Sequence, residues 1–558
     1  MNTFTLLIGS AIILAVAYVL YGGYLAKKWG VDDSRKTPAH TKYDGVDYVP
    51  SKAPILMGHH FASIAGAGPI MGPVQAAIFG WIPVTLWILI GSIFFGGVQD
   101  FGSLFASIRH DGKSIGEIIE ANMGNKGKKL FSLFAWLTLI LVVAAFSNIV
   151  ADSFVSTPAA GTASILFIIL AICFGIAVYR FKCPLSIATI VGVILLFICI
   201  YVGFLFPIVL SKNVWIVLLL LYIFIASVTP VWILLQPRDY LNSYLLYAMM
   251  AGALIGITVL RPEIQMDGFT GFTVNGQYLF PVLFVTVACG AISGFHSLVG
   301  SGTSAKQLYK ESDAKKIGYG SMLVEGLLAI VALITVAYIS NGDFNNLLSN
   351  GGPVNVFSEG IANFMLSFGI PFNIGKTFTS LAISAFALTS LDTSTRLARF
   401  IFQEFFDGKS SKANDTKSQK TTSKNPLTNM YVSTALTVVV SGLLAVMGYQ
   451  KIWPIFGSAN QLLAAIALLA IALWLAKSKK SFKELVIPIV FMFIVTMFSL
   501  ILNIKANIGV NYALVIIAAV LLVLAAILIF EAIKIIKNTG VGGLTPESTS
   551  DTEKNKNE

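Results

Sequence analysis

Charge is what this sequence has least of. Asp, Glu, Lys and Arg make up 12% of its 558 residues, against roughly 25% in soluble domains. The shortage runs along most of the chain, so it does not describe one water-soluble domain with a greasy core. With 56% hydrophobic residues and a mean hydropathy of +0.80, the chain suits a bilayer. Cysteine is scarce too: Cys173, Cys183, Cys199 and Cys289 lie in or beside apolar runs without metal-ligand spacing, and they read as small core residues. A Walker loop, a dinucleotide fingerprint, an HExxH pair and a Ser or Cys nucleophile elbow are all missing. That leaves no convergent catalytic set for an enzyme, and no cofactor or metal is expected. The first apolar run lacks a basic lead and a small-residue cleavage site, so it reads as a span rather than a signal peptide.

What is present is a series of apolar runs of membrane length. About 20 apolar residues cross the hydrocarbon layer as a helix. That ruler marks spans near 4–24, 54–78, 83–107, 130–150, 162–179, 186–208, 214–235, 243–260, 280–300, 318–340, 374–394, 429–448, 455–475, 484–503 and 511–532. The fold class is therefore all-α and polytopic, with about fifteen transmembrane helices. The stretch Phe357–Phe368 is too short to cross and is expected as a re-entrant or surface helix. The net charge of +11 does not point to nucleic acid, because the basic residues sit in short loops between spans. With the N-terminus outside and the C-terminus in the cytoplasm, only Lys212, Arg261, Lys376, Lys451 and Lys505 of the 38 Lys and Arg fall outside, as the positive-inside rule requires.

Two predicted spans carry helix breakers at mid-membrane. Span 2 holds Ser63, Gly66, Ala67, Gly68 and Pro69 within Phe61–Pro73, and span 7 holds Thr229, Pro230 and Trp232, followed by Pro237, Arg238 and Asp239. Proline removes a backbone donor and glycine favours unwinding. Unpaired backbone at that depth survives only beside protein or a wet cavity. A half-helix starting at Pro69 aims free N–H groups and a positive dipole end at the gap, which suits a carboxylate. The alternative is a packing kink. Spans 2–6 and 7–11 each open with an interrupted helix and run oppositely, as inverted repeats do.

Polar groups elsewhere in the apolar runs are few. Span 9 carries Ser293, His296, Ser297 and Ser304, a face able to hold a coupling cation or pass a proton, or simply to pack closely. Glu325 lies about two turns into span 10, where a charged acid costs about 2.5–3.5 kcal/mol; a proton-carrying role and a structural pair are both open. Gln99 and Asp100 are expected to pair with a basic residue such as Arg109, and Asp392 with Arg396 as a surface i,i+4 pair. His59 and His60 open span 2 and are weak evidence for a metal.

The runs Gly58–Ile70, Gly97–Phe101 with Ser107–Arg109, Thr229–Tyr240, Ser293–Ser297 with Gly302 and Thr303, and Leu391–Arg396 together resemble the carbon starvation protein A family. The blocks stand in family order over about residues 1–400. The resemblance implies an inner-membrane carrier of the amino acid–polyamine–organocation superfamily (a LeuT-like core of two inverted five-helix repeats) tied to uptake of short peptides or pyruvate under nutrient stress. It would put substrate near Ser63, Gly66, Ala67, Gly68, Pro69, Thr229, Pro230 and Trp232, and the coupling cation or proton near Ser293, His296, Ser297 and Glu325. The organisation expected is a peripheral helix and cytoplasmic loop (1–53), a transport core (54–400, repeats 54–208 and 214–394), a Lys-rich flexible linker (401–428), a four-helix region (429–535) serving as scaffold or homo-oligomer surface, and a cytoplasmic tail (536–558). A secondary active symporter in the plasma membrane is the leading reading. A nutrient sensor that binds the same ligand without net flux is the alternative.

Overall fold

A computed structural model describes residues 2–45, 48–230, 233–406 and 425–538. Trp232, most of the expected linker and the tail beyond residue 538 lie outside the described residues. The described chain is helical throughout except for one two-stranded hairpin, Thr273–Val274 with Gln277–Tyr278.

The helices start and stop where the local chemistry directs. α1 (Thr3–Trp29) opens on the Asn2 side chain, which accepts from Thr5 N, and closes on Gly30 at φ 73°, the left-handed conformation glycine tolerates. After it come α2 (Ala53–Ile64), α3 (Gly68–Phe79) and α4 (Trp81–Arg109). α5 (Ile115–Ser156) begins at a capping box of Ser114 and Glu117. It is longer than the expected 130–150 because a polar first section, 115–123, joins the apolar section at a kink on Gly124 (φ 77°). α6 (Pro158–Val178), α7 (Leu185–Leu205), α8 (Lys212–Val228) and α9 (Leu235–Leu260) follow. Residues 279–302 form three pieces, α10 (Leu279–Thr286), α11 (Ala288–Ala291) and α12 (Gly294–Gly302). Then come α13 (Lys315–Ala337), α14 (Asn341–Leu366), α15 (Phe372–Phe406), α16 (Met430–Ala445), α17 (Gln450–Lys477), α18 (Lys483–Asn507) and α19 (Tyr512–Ile535).

Each of the fifteen expected segments overlaps helix, although 214–235 outruns α8, which ends at Val228. Among the described residues, eleven helices are long and apolar enough to cross alone, and the bent pair α2–α3 makes a twelfth. The other three are α8, with 17 residues, α16, with 16, and the interrupted 279–302. At 1.5 Å per residue the two short ones reach only about 25 Å. α14 departs from expectation. It starts earlier than expected, at Asn341, and is not a surface helix, because its half beyond a kink at Gly352 buries Val356, Phe357, Ile361 and Phe364 against α9, α13 and α15; the re-entrant alternative stays open.

Burial sorts the helices. Over its most apolar stretch α17 is 94% buried and α13 89%, whereas α7 is 22% and α1 and α19 are 33%. The first two form the centre with α5 and α15, and the last three turn apolar side chains outward to lipid. Loops at each end of the bundle tie same-side ends together. At one end Thr3 N donates to Pro262 O, Met266 N to Ala337 O, and Lys212 meets Asp152 at 2.8 Å. At the other, Arg109 bonds Gly30 O and Glu311 (both 2.8 Å), Lys28 meets Glu484, and Lys126 meets Glu531.

Candidate functional site

Two interrupted helices meet at the centre. The first parts at Ala65–Ala67, where the chain bends by 49° between α2 and α3. The second parts at Ile292 and Ser293, both extended (φ −160° and −130°), just before Gly294 starts α12. Glycine brings the two gaps together. A β-carbon on Gly66 would collide with the Ser390 side chain of α15, and one on Gly68 with the Cys289 side chain of α11. The second gap is held by an amide from α17: Asn460 Oδ1 accepts from Phe295 N (3.0 Å), while Asn460 Nδ2 donates to Ser293 Oγ (3.0 Å). Asn460 thus supplies the bonds that the unwound backbone lost.

Between the gaps is a small cavity. Ile64, Gly66 and Gly68 line it from the first helix, Cys289, Ser293 and Phe295 from the second, and Val142, Phe146, Ser390, Phe456 and Asn460 from α5, α15 and α17. Its free space, measured for the centre of a water molecule, is about 10 Å³, roughly the room of one water. No lining residue is ionisable as acid or base except the Cys289 thiol.

Immediately behind Ser293 sits a buried ionisable cluster. His296, in the first turn of α12, has Nδ1 2.8 Å from Asp100 Oδ2 on α4 and Nε2 3.3 Å from Glu325 Oε2 on α13. All three side chains are at most 1% exposed. With its amide nitrogen turned to the oxygens, Gln99 donates to Asp100 Oδ1 (2.8 Å) and to Ser293 O (3.0 Å), linking the cluster to the gap. The two carboxylates differ in support: Asp100 has two donors, whereas neither Glu325 oxygen has a well-aligned hydrogen bond. His296 and Glu325 were legible from the sequence. Asp100 was flagged there but set against Arg109, and the structure corrects this: Arg109 is taken by Glu311 at the helix end, while Asp100, further back along α4, points inward to His296.

The remaining expected site residues separate into three groups. Gly66 and Gly68 line the cavity; Ala67 and Pro69 are buried in the turn that opens α3. Ser63 sends its hydroxyl back to His59 O (2.9 Å), and Ser297 to Gly294 O (2.6 Å), so both brace their own helices. Thr229 and Pro230 do not line this cavity. They follow the end of α8, whose carbonyls at Ala226, Ser227 and Thr229 accept from Arg396 and Arg399 of α15. Nearby, Asp392 is buried and bonds Arg238 and the Tyr222 hydroxyl, and Arg238 also reaches Asp239 (3.0 Å). This corrects the expected surface pair of Asp392 with Arg396, since α15 is buried on that face too. Among the described residues no group of three or more His, Cys, Asp and Glu could hold a metal. Asn460 was missed, and Arg238 was named beside Pro237 without a role. An amide inside an apolar run, and an arginine directly after a proline, are the signals that find them.

The sequence has extensive known counterparts. Residues 2–352 and 343–499 match the family model "Carbon starvation protein CstA". A peptide transporter CstA of Helicobacter pylori is 34% identical over 90% of this chain and 82% of that protein. One of Bacillus subtilis is 32% identical over 96% and 97%, and the pyruvate/proton symporter BtsT of Escherichia coli is 32% identical over 89% and 81%. Among solved structures, the chain is similar to a manganese transporter of Eremococcus coleocola (13% identity, TM-score 0.45, 89% of this chain and 98% of that one). It is also similar to MhsT in complex with L-phenylalanine (14% identity, TM-score 0.47, 87% and 99%). A membrane protein of many helices, matched by this family's model along nearly its whole length, belongs to the carbon starvation protein CstA family.

Proposed function

We propose that the protein is a secondary active transporter that imports a small carboxylate across the plasma membrane together with a proton. The observation that carries this reading is the Asp100–His296–Glu325 cluster, buried in apolar surroundings and joined through Gln99 and Ser293 to the gap between two interrupted helices. Substrate contacts Gly66, Gly68, Ser293 and Asn460, with Ala67 and Pro69 shaping the turn, and its carboxylate faces the free N–H end of α3. The proton resides on the cluster, where Glu325 lacks donors and is the acid that accepts it. The cavity has room for about one water, so the helices part to admit cargo.

Peptide and pyruvate differ in one feature the lining addresses. A peptide brings an ammonium group that needs an acceptor of matching charge, and none of the cavity residues is a carboxylate. Pyruvate needs none. We therefore favour pyruvate, the substrate in the name of the Escherichia coli relative, over the peptides in the names of the others. Fifteen crossings, with the N-terminus outside and two inverted repeats whose interrupted helices are 53–79 and 279–302, complete the proposal. The pairing of helix ends at each side of the bundle supports it.

The test is uptake of labelled pyruvate, dipeptide and tripeptide into proteoliposomes with and without an imposed pH gradient. Gradient-dependent pyruvate accumulation with little peptide is expected. Binding without flux would favour a sensor, and peptide uptake at equal rate would remove the charge argument.

A further inference from the structure

The adjacent histidines of α2 have no part in the symport reading so far. They stand on a helix that packs against both α9 and α12. His60 is 1% exposed. Its Nδ1 is 2.7 Å from Ser304 Oγ, and its Nε2 is buried without a hydrogen-bond partner. Buried ring nitrogens normally have partners, so this one stands out. The intervening geometry is open. His296 and Gly300 are one turn apart on α12, and Ser304 follows just past the helix end. A β-carbon on Gly300 would find only His60 Cε1, at 4.0 Å, among the described residues. On the face between His296 and Ser304, glycine leaves a vacancy and His60 borders it.

We propose that His60 and Ser304 carry the proton from the Asp100–His296–Glu325 cluster to the loop after α12, past the opening at Gly300. The inference rests on the symport reading. Only N–H and O–H bonds change. The neutral ring donates its Nδ1 proton to Ser304 Oγ and accepts the incoming proton on Nε2. Ser304 is itself buried, so the helices part on the loop side before its hydroxyl gives its own proton to water; the neighbouring loop residues Leu308 and Tyr309 are tied to Thr37 and His40 of the 31–45 segment. The ring and hydroxyl turn back before the next cycle.

Most other charged groups on the elements packed against α2 are engaged. On α15, Arg396 and Arg399 bond carbonyls at the end of α8 and Lys376 pairs with Glu359. Glu404, near the C-terminal end of α15, is the exception among the described residues. On α9, Arg238 holds Asp239; on α15, Asp392 holds Arg238. On α13, Glu325 faces His296, Lys316 pairs with Asp313, and Lys315 lies over the Tyr18 ring. His59 is the remaining titratable neighbour on α2 itself. This leaves the Asp100–His296–Glu325 cluster, held one helical turn from Gly300 on α12, as the source of the proton that reaches His60.

The experiment uses the full chain in proteoliposomes with labelled pyruvate. Three readouts are taken: gradient-driven uptake, lumenal acidification by a trapped dye, and pyruvate counterflow at equal pH. His60→Gln keeps a bond to Ser304 but does not titrate. It is expected to slow uptake and acidification by about tenfold or more, to flatten their dependence on cytoplasmic-side pH, and to leave counterflow running. Gly300→Leu, which fills the opening, and Ser304→Ala reproduce the pattern if His60→Gln fails to insert. Wild-type acidification by His60→Gln, or counterflow lost in parallel with uptake, overturns the route alone. A wild-type protein that acidifies nothing overturns the symport reading and the route with it.

Discussion

An acid in a membrane interior persists only if something pays for its charge or its proton. Asp100 and Glu325 solve this in different ways on two sides of one imidazole. Gln99 and His296 donate to Asp100, and this fixes the ring with Nδ1 toward α4. Glu325 faces Nε2 with no aligned donor, which makes it the variable member. Glu325→Gln should therefore abolish pH-driven uptake, by about 10²-fold or more, while exchange of substrate across equal pH persists. Asp100→Asn should lower the same rate and shift its pH profile, because the ring loses its anionic anchor. Uptake and exchange measured side by side decide it: parallel loss of both in Glu325→Gln would mean a structural acid only. The identities of these residues could be read in the chain as polar groups that lipid does not tolerate. Their partners could not, because Asp100 is 196 positions from His296 and nothing local prefers His296 to Arg109.

At the scale of elements, the interruptions do the positioning. The first was legible, since Gly66, Gly68 and Pro69 interrupt helix wherever they occur. The second carries no proline: Ile292 and Ser293 are extended because Asn460 of α17 replaces the missing backbone partner, a contact across 165 residues. Thr229–Pro230 carried the stronger local signal and marks a helix end capped by Arg396 and Arg399 instead. Proline tells where a helix stops, not what fills the gap. The contact between the gaps is testable. Gly68→Ala should cut uptake by about tenfold or more, because its methyl group meets Cys289. Adding Cys289→Gly, which removes both the Sγ and the Cβ that the methyl group meets, should restore much of the loss. Losses that simply add in the double variant would show that the two residues do not touch.

For the whole molecule, a second buried network joins α8, α9 and α15: Arg238 with Asp392, Asp239 and the Tyr222 hydroxyl. Removing one partner strands a buried charge, at a cost of about 3–5 kcal/mol. Arg238→Met should lower the thermal midpoint in detergent markedly, and Arg238→Met with Asp392→Leu should regain most of it, since paired removal strands less. A double variant no better than the single would reassign the stability to Asp239. The predicted sidedness has its own check. In a background without the four native cysteines, Val510→Cys should react with an impermeant thiol reagent on intact cells, and Ser548→Cys only after permeabilisation. The reverse pattern would invert every span.

Composition, run length and the placement of Lys and Arg were enough to establish a polytopic helical protein, and the ordered motif blocks its family. The helical spans follow from the cost of polar groups in lipid, which each segment meets alone. Which interrupted helix faces which, that Asn460 supports the second gap, and that two acids share one histidine were decided only on folding. Such pairings join different segments, 165 residues apart for Asn460 and Phe295 and 196 for Asp100 and His296, and no segment carries them by itself.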